Sequence, residues 1–171
     1  MTFSFSTCDF CDAHKDNHSG DVRVLPPVFQ DFGGVSAFAG QVVTVRCHED
    51  NTMVKQAVAE PGEGAILVVD AGGSHRCAML GDMLAEQAAK NGWAGVIMYG
   101  CVRDVDILAT LPLGVQALGS HPRRSEKHGE GQRDVAVTFA GVTLQVGQWL
   151  YADNNGIIVA EQPLKRSEEH T

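Results

Sequence analysis

The 171-residue chain carries 21 acidic side chains against 13 Lys and Arg, a formal net charge of -8 at pH 7. That balance disfavours nucleic acid as a direct ligand, because phosphate contacts draw their affinity from clustered Lys and Arg. With 44% apolar and 20% charged residues, the chain is expected to fold as one domain over 1–171 with a charged, frayed tail at 165–171. No stretch approaches the roughly 20 apolar residues of a membrane span. Met1 to Asp9 has no basic start followed by an apolar run, so a cytoplasmic setting is expected. There Cys8, Cys11, Cys47, Cys77 and Cys101 would stay reduced.

Ser6 to Asn17 reads as a short helix that Thr7 can cap, with Phe10 and Ala13 on one face. Val22 to Leu25 is extended before Pro26 and Pro27, and Asp21 to Gly40 is mostly loop and short strand. Gln41 to Cys47 is β-branched and predicts a strand, and Asn51 caps a helix running to Ala59. Ala65 to Val69 is a continuous apolar run closed by Asp70, Gly72 and Gly73, the pattern of a central strand buried on both faces. From Asp82 the period becomes helical, with Met83, Leu84, Gln87, Ala88 and Asn91 on one face and Gly92 as the stop. Ala94 to Tyr99 is the next buried strand, so strand, glycine loop, helix and strand make a right-handed crossover joining parallel strands.

Beyond it, Val105 to Thr110 predicts a helical turn and Gly114 to Leu118 a strand, followed by a polar loop from Gly119 to Gly131. Asp134 to Phe139 and Val142 to Val146 read as a hairpin around Ala140 and Gly141, and Asn155 to Ala160 as a last strand. The expected fold is α/β: about seven strands and three or four helices, a mixed sheet layered with helices.

Ligands collect at the carboxyl ends of parallel strands. Two such ends run into polar or glycine-rich loops, Asp70 to Ser74 and Gly100 to Asp106, and both should converge with the helix start at Gly81 and Asp82. That start offers free N–H groups and a positive dipole end to a carboxylate, and Gly81 has no side chain to block the approach. Arg103 adds a planar fork for a second oxygen pair. Asp104 adds a hard oxygen ligand for Mg²⁺, which takes only one or two protein carboxylates and keeps several waters. Together these residues describe a small 2-oxo acid chelated to a metal. On sequence pattern alone, such residues are more often just a helix cap and a local surface ion pair, which leaves function open.

Two other patterns carry less. Cys8, Cys11, His14 and His18 are spaced too closely for a zinc finger, and a helix makes the cysteines ordinary apolar residues. Val68 to Ser74 lacks the third glycine and the immediate helix of a dinucleotide or methyl-donor site. Pro122 to His128 is a basic run inside an acidic chain, read as a solvated loop in preference to an anion gate.

Phe32-Gly33-Gly34, Gly40-Gln41, Leu67-Val68-Val69-Asp70, Tyr99-Gly100-Cys101-Val102-Arg103-Asp104, Phe139-Ala140-Gly141-Val142 and Tyr151-Ala152-Asp153-Asn154 occur in this order. Over nearly its whole length the chain thereby resembles the RraA-like family, regulators of ribonuclease activity A together with 4-hydroxy-4-methyl-2-oxoglutarate aldolases. The resemblance implies a layered β/β/α sandwich of the swivelling-domain type and a homotrimer with sites at subunit boundaries.

For the site, the resemblance implies that Gly81, Asp82, Met83 and Leu84 contact substrate, Arg103 binds the oxo acid and Asp104 holds a divalent metal, Mg²⁺ first and Mn²⁺ or Co²⁺ next. Asp82 would orient a water or act as base. The implied reaction is retro-aldol cleavage of 4-hydroxy-4-methyl-2-oxoglutarate or 4-carboxy-4-hydroxy-2-oxoadipate, with secondary oxaloacetate decarboxylation through the same enolate. No lysine in the matched motifs is placed for a Schiff base. A departure is Ile107 where such aldolases carry an acidic residue, Asp106 being the nearest carboxylate; the shift bears on metal affinity. A neighbouring subunit's contribution is left open among Glu49, Asp50 and Glu161. The competing reading is a non-catalytic regulator that binds and inhibits an RNA-processing ribonuclease.

Overall fold

Ile66, Leu67, Val68 and Val69 are all fully buried, the state of a strand covered on both faces. Leu67 and Val69 join one apolar cluster, Ile66 and Val68 a second on the opposite face, because successive side chains on a strand point to opposite sides. The computed structural model describes residues 4–164, so the charged tail lies outside the described residues. Helix α1 (Thr7–Ala13) leads to β1 (Val22–Val24), β2 (Gln30–Asp31), β3 (Phe38–Arg46), α2 (Thr52–Val58), β4 (Ile66–Asp70), β5 (Ala78–Leu80), α3 (Asp82–Lys90) and β6 (Gly95–Val102). Then come α4 (Val105–Leu108), β7 (Gly114–Ser120), β8 (Gln132–Arg133), β9 (Val137–Phe139), β10 (Val142–Leu144), β11 (Trp149–Asp153) and β12 (Gly156–Ala160).

Ten strands form one mixed sheet in the order β1-β12-β11-β3-β4-β6-β7-β2, with β5 beside β6 and β8 beside β3. Strands β3, β4, β6 and β7 pair in parallel. The first half of β3 turns away to pair antiparallel with β11, so one strand belongs to both halves of the sheet. Helices α2 and α3 bury Val54, Val58, Ala85 and Ala88 on one face, while Val137, Phe139, Leu144, Leu150 and Val159 cover the other. The layering is therefore β/β/α, as expected. Phe38 lies where the layers press closest: a Cβ on Gly95 or Gly114 would stand 2.4 or 2.1 Å from its ring, so only glycine leaves room.

Several local expectations need correction. Helix α1 is capped by Ser6, whose hydroxyl accepts from Asp9 N at 3.3 Å. Thr7 is instead tied to Asp153, its N–H and hydroxyl donating at 2.8 and 2.6 Å. Asn51 does not cap α2 with its side chain; its Nδ2 donates to Met79 O at 3.2 Å. Helix α3 buries Ala85 and Ala88 and leaves Met83 78% exposed, so its inward face is narrower than expected. Strand β1, expected only as an extended stretch, together with the short β2, β5 and β8 and the more regular β11, raises the count from about seven strands to twelve. The β9–β10 hairpin turns through Ala140 and Gly141 as expected, both at positive φ.

Candidate functional site

Strand β6 ends at Val102, and the backbone then turns sharply to deliver two charged side chains to the start of α3. Arg103 N donates to Leu80 O at 2.9 Å, which registers this turn against β5. Asp104 adopts the left-handed region (φ 56°, ψ 42°), and its carbonyl accepts from Ile107 N and Leu108 N. An aspartate tolerates that conformation better than most side chains. Its carboxylate reaches across to α3: Oδ2 accepts from Asp82 N at 3.0 Å. The guanidinium Nε of Arg103 stands 3.9 Å from the same oxygen, and Nη1 donates to Pro122 O at 3.5 Å. Arg103 thus spans from the helix start to the 122–128 segment.

Gly81, the α3 N-cap, has an extended backbone (φ -126°) that any residue could adopt. Space makes it glycine. A Cβ would lie 2.8 Å from Asp104 Oδ2 and 3.3 Å from Arg103 Nε. Because the carboxylate can swing away, Gly81→Ala should displace Asp104 and leave the fold intact. We predict about a hundredfold loss of activity, the effect of an ångström-scale misplacement, with a thermal midpoint nearly unchanged by calorimetry.

The helix start is less open than the sequence implies. Asp82 N is used by Asp104, and Met83 N donates to Asp82's own Oδ1 at 2.8 Å. Leu84 N is left facing outward in the first turn, where unsatisfied N–H groups are the rule. Gly81 to Leu84, Arg103, Leu80 and Asn51 line a cavity of about 210 Å³. Lys55, Arg124 and Lys127 complete its rim. The sequence reading missed Asn51 and Lys55 as site residues and set the 122–128 run aside as a solvated loop, although its charge was visible.

Asp70 to Ser74 does not join this cavity. Asp70 Oδ1 accepts from Gly72 N at 2.9 Å, and Ser74 Oγ donates to Glu49 Oε2 at 2.8 Å. Strand β5, inserted before α3, carries the chain away from that loop. Lys55 and Lys127, outside the matched motifs, both line the cavity. Both are exposed, unlike the desolvated amine that Schiff-base chemistry needs.

Asp104 Oδ1 accepts no protein hydrogen bond among the described residues, whereas Oδ2 is anchored. That arrangement suits a hard cation held by one carboxylate plus water and substrate oxygens. No group of three or more His, Cys, Asp and Glu able to hold a metal occurs among the described residues, Cys8, Cys11, His14 and the other α1-proximal groups included. Ile107 is 42% exposed on α4, one turn beyond Asp104, and Asp106 is exposed beside it.

Of the three carboxylates considered for a neighbouring subunit, Asp50 is unavailable. It is 2% exposed and accepts from Thr52 N, Thr52 Oγ1, His128 N and Glu130 N at 2.9, 2.7, 2.8 and 3.1 Å. Glu49 is paired with Arg76, whose Nε and Nη2 donate at 2.7 and 2.8 Å, and Glu161 with Gln148 and Arg23. All five cysteines are free thiols, and burial, followed by the nearby Asp70, Asp50 and Cys77, pushes the Cys47 thiol up to about 12.

The RraA-like family model, described as Aldolase/RraA, matches residues 7–159. The chain belongs to the RraA-like family. A relative from Ectopseudomonas mendocina (strain ymp) is 57% identical over 164 residues, 96% of this chain and 99% of its own length. Another from Pseudomonas putida (strain W619) is 57% identical over 161 residues, 94% of this chain and 96% of its own. Both carry the name "Putative 4-hydroxy-4-methyl-2-oxoglutarate aldolase". Two solved structures superpose with a TM-score of 0.89. One is the RNA-processing inhibitor RraA from Thermus thermophilis, 40% identical and covering 95% of this chain and 96% of that one. The other, from Geobacillus kaustophilus, is described as an S-adenosylmethionine: 2-dimethylmenaquinone methyltransferase, 42% identical over 94% of this chain and 97% of that one. Among RraA-like chains the same fold thus carries three functional descriptions, and the site must decide between them.

Proposed function

We propose that this RraA-like protein is a divalent-metal-dependent aldolase that cleaves 4-hydroxy-4-methyl-2-oxoglutarate, or 4-carboxy-4-hydroxy-2-oxoadipate, with oxaloacetate decarboxylation as a side activity. The observation that carries this reading is the contact of Asp104 Oδ2 with Asp82 N at 3.0 Å beside Gly81. It anchors Oδ2 beside the α3 start while Oδ1 accepts no hydrogen bond among the described residues, and Arg103, which lines the cavity, stands next to it. A regulator that works through its outer surface has no use for that construction. Nor does a methyl-donor site, since Asp70 to Gly73 turns into β5 and not directly into a helix.

Asp104 would hold the metal, which when bound supplies Lewis-acid polarisation of the 2-oxo group. Arg103 binds the adjoining C1 carboxylate as a planar fork. The outward-facing Leu84 N–H, with Met83 N–H when Asp82 turns toward substrate, completes an anion cradle at the dipole's positive end. Asp82 would take the C4 hydroxyl proton, directly or through one water. The O–H electron pair then becomes the C4 carbonyl, the C3–C4 bond breaks, and its electrons move to the C2 oxygen as an enolate. Arg103 balances that developing charge. Protonation at C3 yields pyruvate, and 4-hydroxy-4-methyl-2-oxoglutarate gives two. Loss of CO₂ from oxaloacetate passes through the same enolate. A homotrimer in the cytoplasm is part of this reading, with exposed Met83 and Ile107 suited to a subunit boundary.

The test is pyruvate release from 4-hydroxy-4-methyl-2-oxoglutarate and from oxaloacetate, with Mg²⁺, Mn²⁺ or Co²⁺ and with chelator. Release that disappears with chelator and returns with metal is expected. No release with any of the three ions would transfer the chain to the ribonuclease-regulator reading, whose own test is metal-independent capture of the ribonuclease.

A further inference from the structure

On β7, Val115 and Ala117 join the helix-side cluster, so Gln116 between them points into the opposite layer. Strand β2 sets Asp31 directly across from it, which puts the two side chains on one face. Gln116 is 5% exposed, and its Nε2 donates to Asp153 O at 3.4 Å. Its Oε1 accepts no hydrogen bond among the described residues, yet it is not sealed as Asn51 Oδ1 and Ser125 Oγ are. That oxygen therefore opens on a cavity of about 190 Å³ between β2, β7 and the β11–β12 turn, whose lining includes Gln116, Asp31, Phe29 and Pro26. A buried amide that uses only part of its hydrogen-bonding capacity calls for a partner at the free oxygen.

Asp31 supplies the charge. Its Oδ1 accepts from Gly33 N at 3.1 Å, and Oδ2 has no protein partner among the described residues. Burial pushes the Asp31 carboxyl up, and the bond from Gly33 offsets only part of that, the response of a carboxylate desolvated without a countercharge. Asp153 adds field but no ligating oxygen, because Thr7 and Asn155 N occupy its carboxylate. Phe29, Pro26 and Pro27 form an apolar wall. Two carboxylates and an amide oxygen repel an anion, and the apolar wall suits an organic cation better than a divalent ion that needs oxygen on every side. A primary ammonium has three donors and no acceptor, and its alkyl stem packs on prolines and an aromatic ring while the head stays with the oxygens. The volume lies below the ~300 Å³ at which drug-sized pockets begin, so the ligand group is small.

We infer that the cavity between β2, β7 and the β11–β12 turn binds a primary ammonium carried on an unbranched alkyl chain, held by Asp31 Oδ2 and Gln116 Oε1. The test is an amide chemical-shift titration of the full chain with butylammonium chloride, with sodium chloride as salt control and butan-1-ol as the uncharged chain. Expected are shifts centred on residues 26–31 and 153–157 with a Kd of about 1 mM, the range open to a ligand of so few atoms, and binding of butan-1-ol about tenfold weaker. Asp31→Asn, which keeps the bond from Gly33 N, and Gln116→Met, which keeps the volume, should each weaken butylammonium by about tenfold; thermal midpoints verify folding. Nα-acetyl-lysine methylamide separates two sources of the group. Affinity shared with butylammonium assigns the site to a lysine side chain of a partner, and affinity for butylammonium alone assigns it to a free amine. Shifts that sodium chloride reproduces, butan-1-ol binding as tightly, or an unaltered Kd in folded Asp31→Asn overturns the ammonium site. Pyruvate release enters none of these readouts, so the outcome is independent of the aldolase reading.

Discussion

Asp104→Ala is expected to lower metal-dependent pyruvate release by about a thousandfold or more, the scale of losing one preorganised group that stabilises transition-state charge. The protein should stay folded, because Asp104 is exposed and its side chain accepts a hydrogen bond only from Asp82 N at the α3 start. What disappears is the carboxylate that Gly81 leaves room for. Asp104→Asn is the sharper variant. The amide oxygen can still accept from Asp82 N, but the charge that would hold a divalent ion is gone. If Asn retains near-native turnover, Asp104 acts only as a cap and the metal reading is wrong. If Asn fails while circular dichroism and thermal midpoint match the native protein, the loss belongs to the chemistry. Metal titration by calorimetry on the same variants gives a readout independent of turnover.

Asp50→Ala is expected to reduce stability by about 3 kcal/mol, the scale of leaving several buried donors without a charged acceptor. In Tm that is roughly 9 °C for a chain of this size. Burial alone would raise the Asp50 pKa, but bonds from Thr52, Glu130 and His128 outweigh it and hold the carboxyl at about 2. The folded value therefore lies below the unfolded value of about 3.9. Its contribution is complete above about pH 4 and fades as pH falls toward 2. Urea titrations from pH 6 to 2 should show that acid-side loss in the native protein and a shallower slope in Asp50→Asn. An unchanged slope would mean that Asp50 does not carry the link.

Periodicity and composition alone determined the central strands and the helix after them. Five consecutive apolar residues from Ala65 to Val69 can be satisfied only by burial on both faces, and the helical spacing after Asp82 with Gly92 as stop allows one reading. Motif order determined the family, and adjacency of Arg103 and Asp104 after a strand marked where chemistry would lie. The short strands β2, β5 and β8 were not legible, since two or three residues carry no period and pair only because longer strands present open edges. Burial changed the meaning of individual residues in the same way. Asn51 and Thr7 carry the local signature of caps, but each found a tertiary partner, Met79 O and Asp153, that local spacing does not encode.

The basic run at 122–128 shows the same limit most clearly. Its charge was visible, but whether it solvates a loop or faces a ligand depends on hydrogen bonds to β5 and to residues 49–51, contacts 40 to 80 positions away in sequence. Likewise the need for glycine at 81 comes from Asp104 packing 2.8 Å from where a Cβ would stand, a distance that exists only after β6 has been laid beside β5.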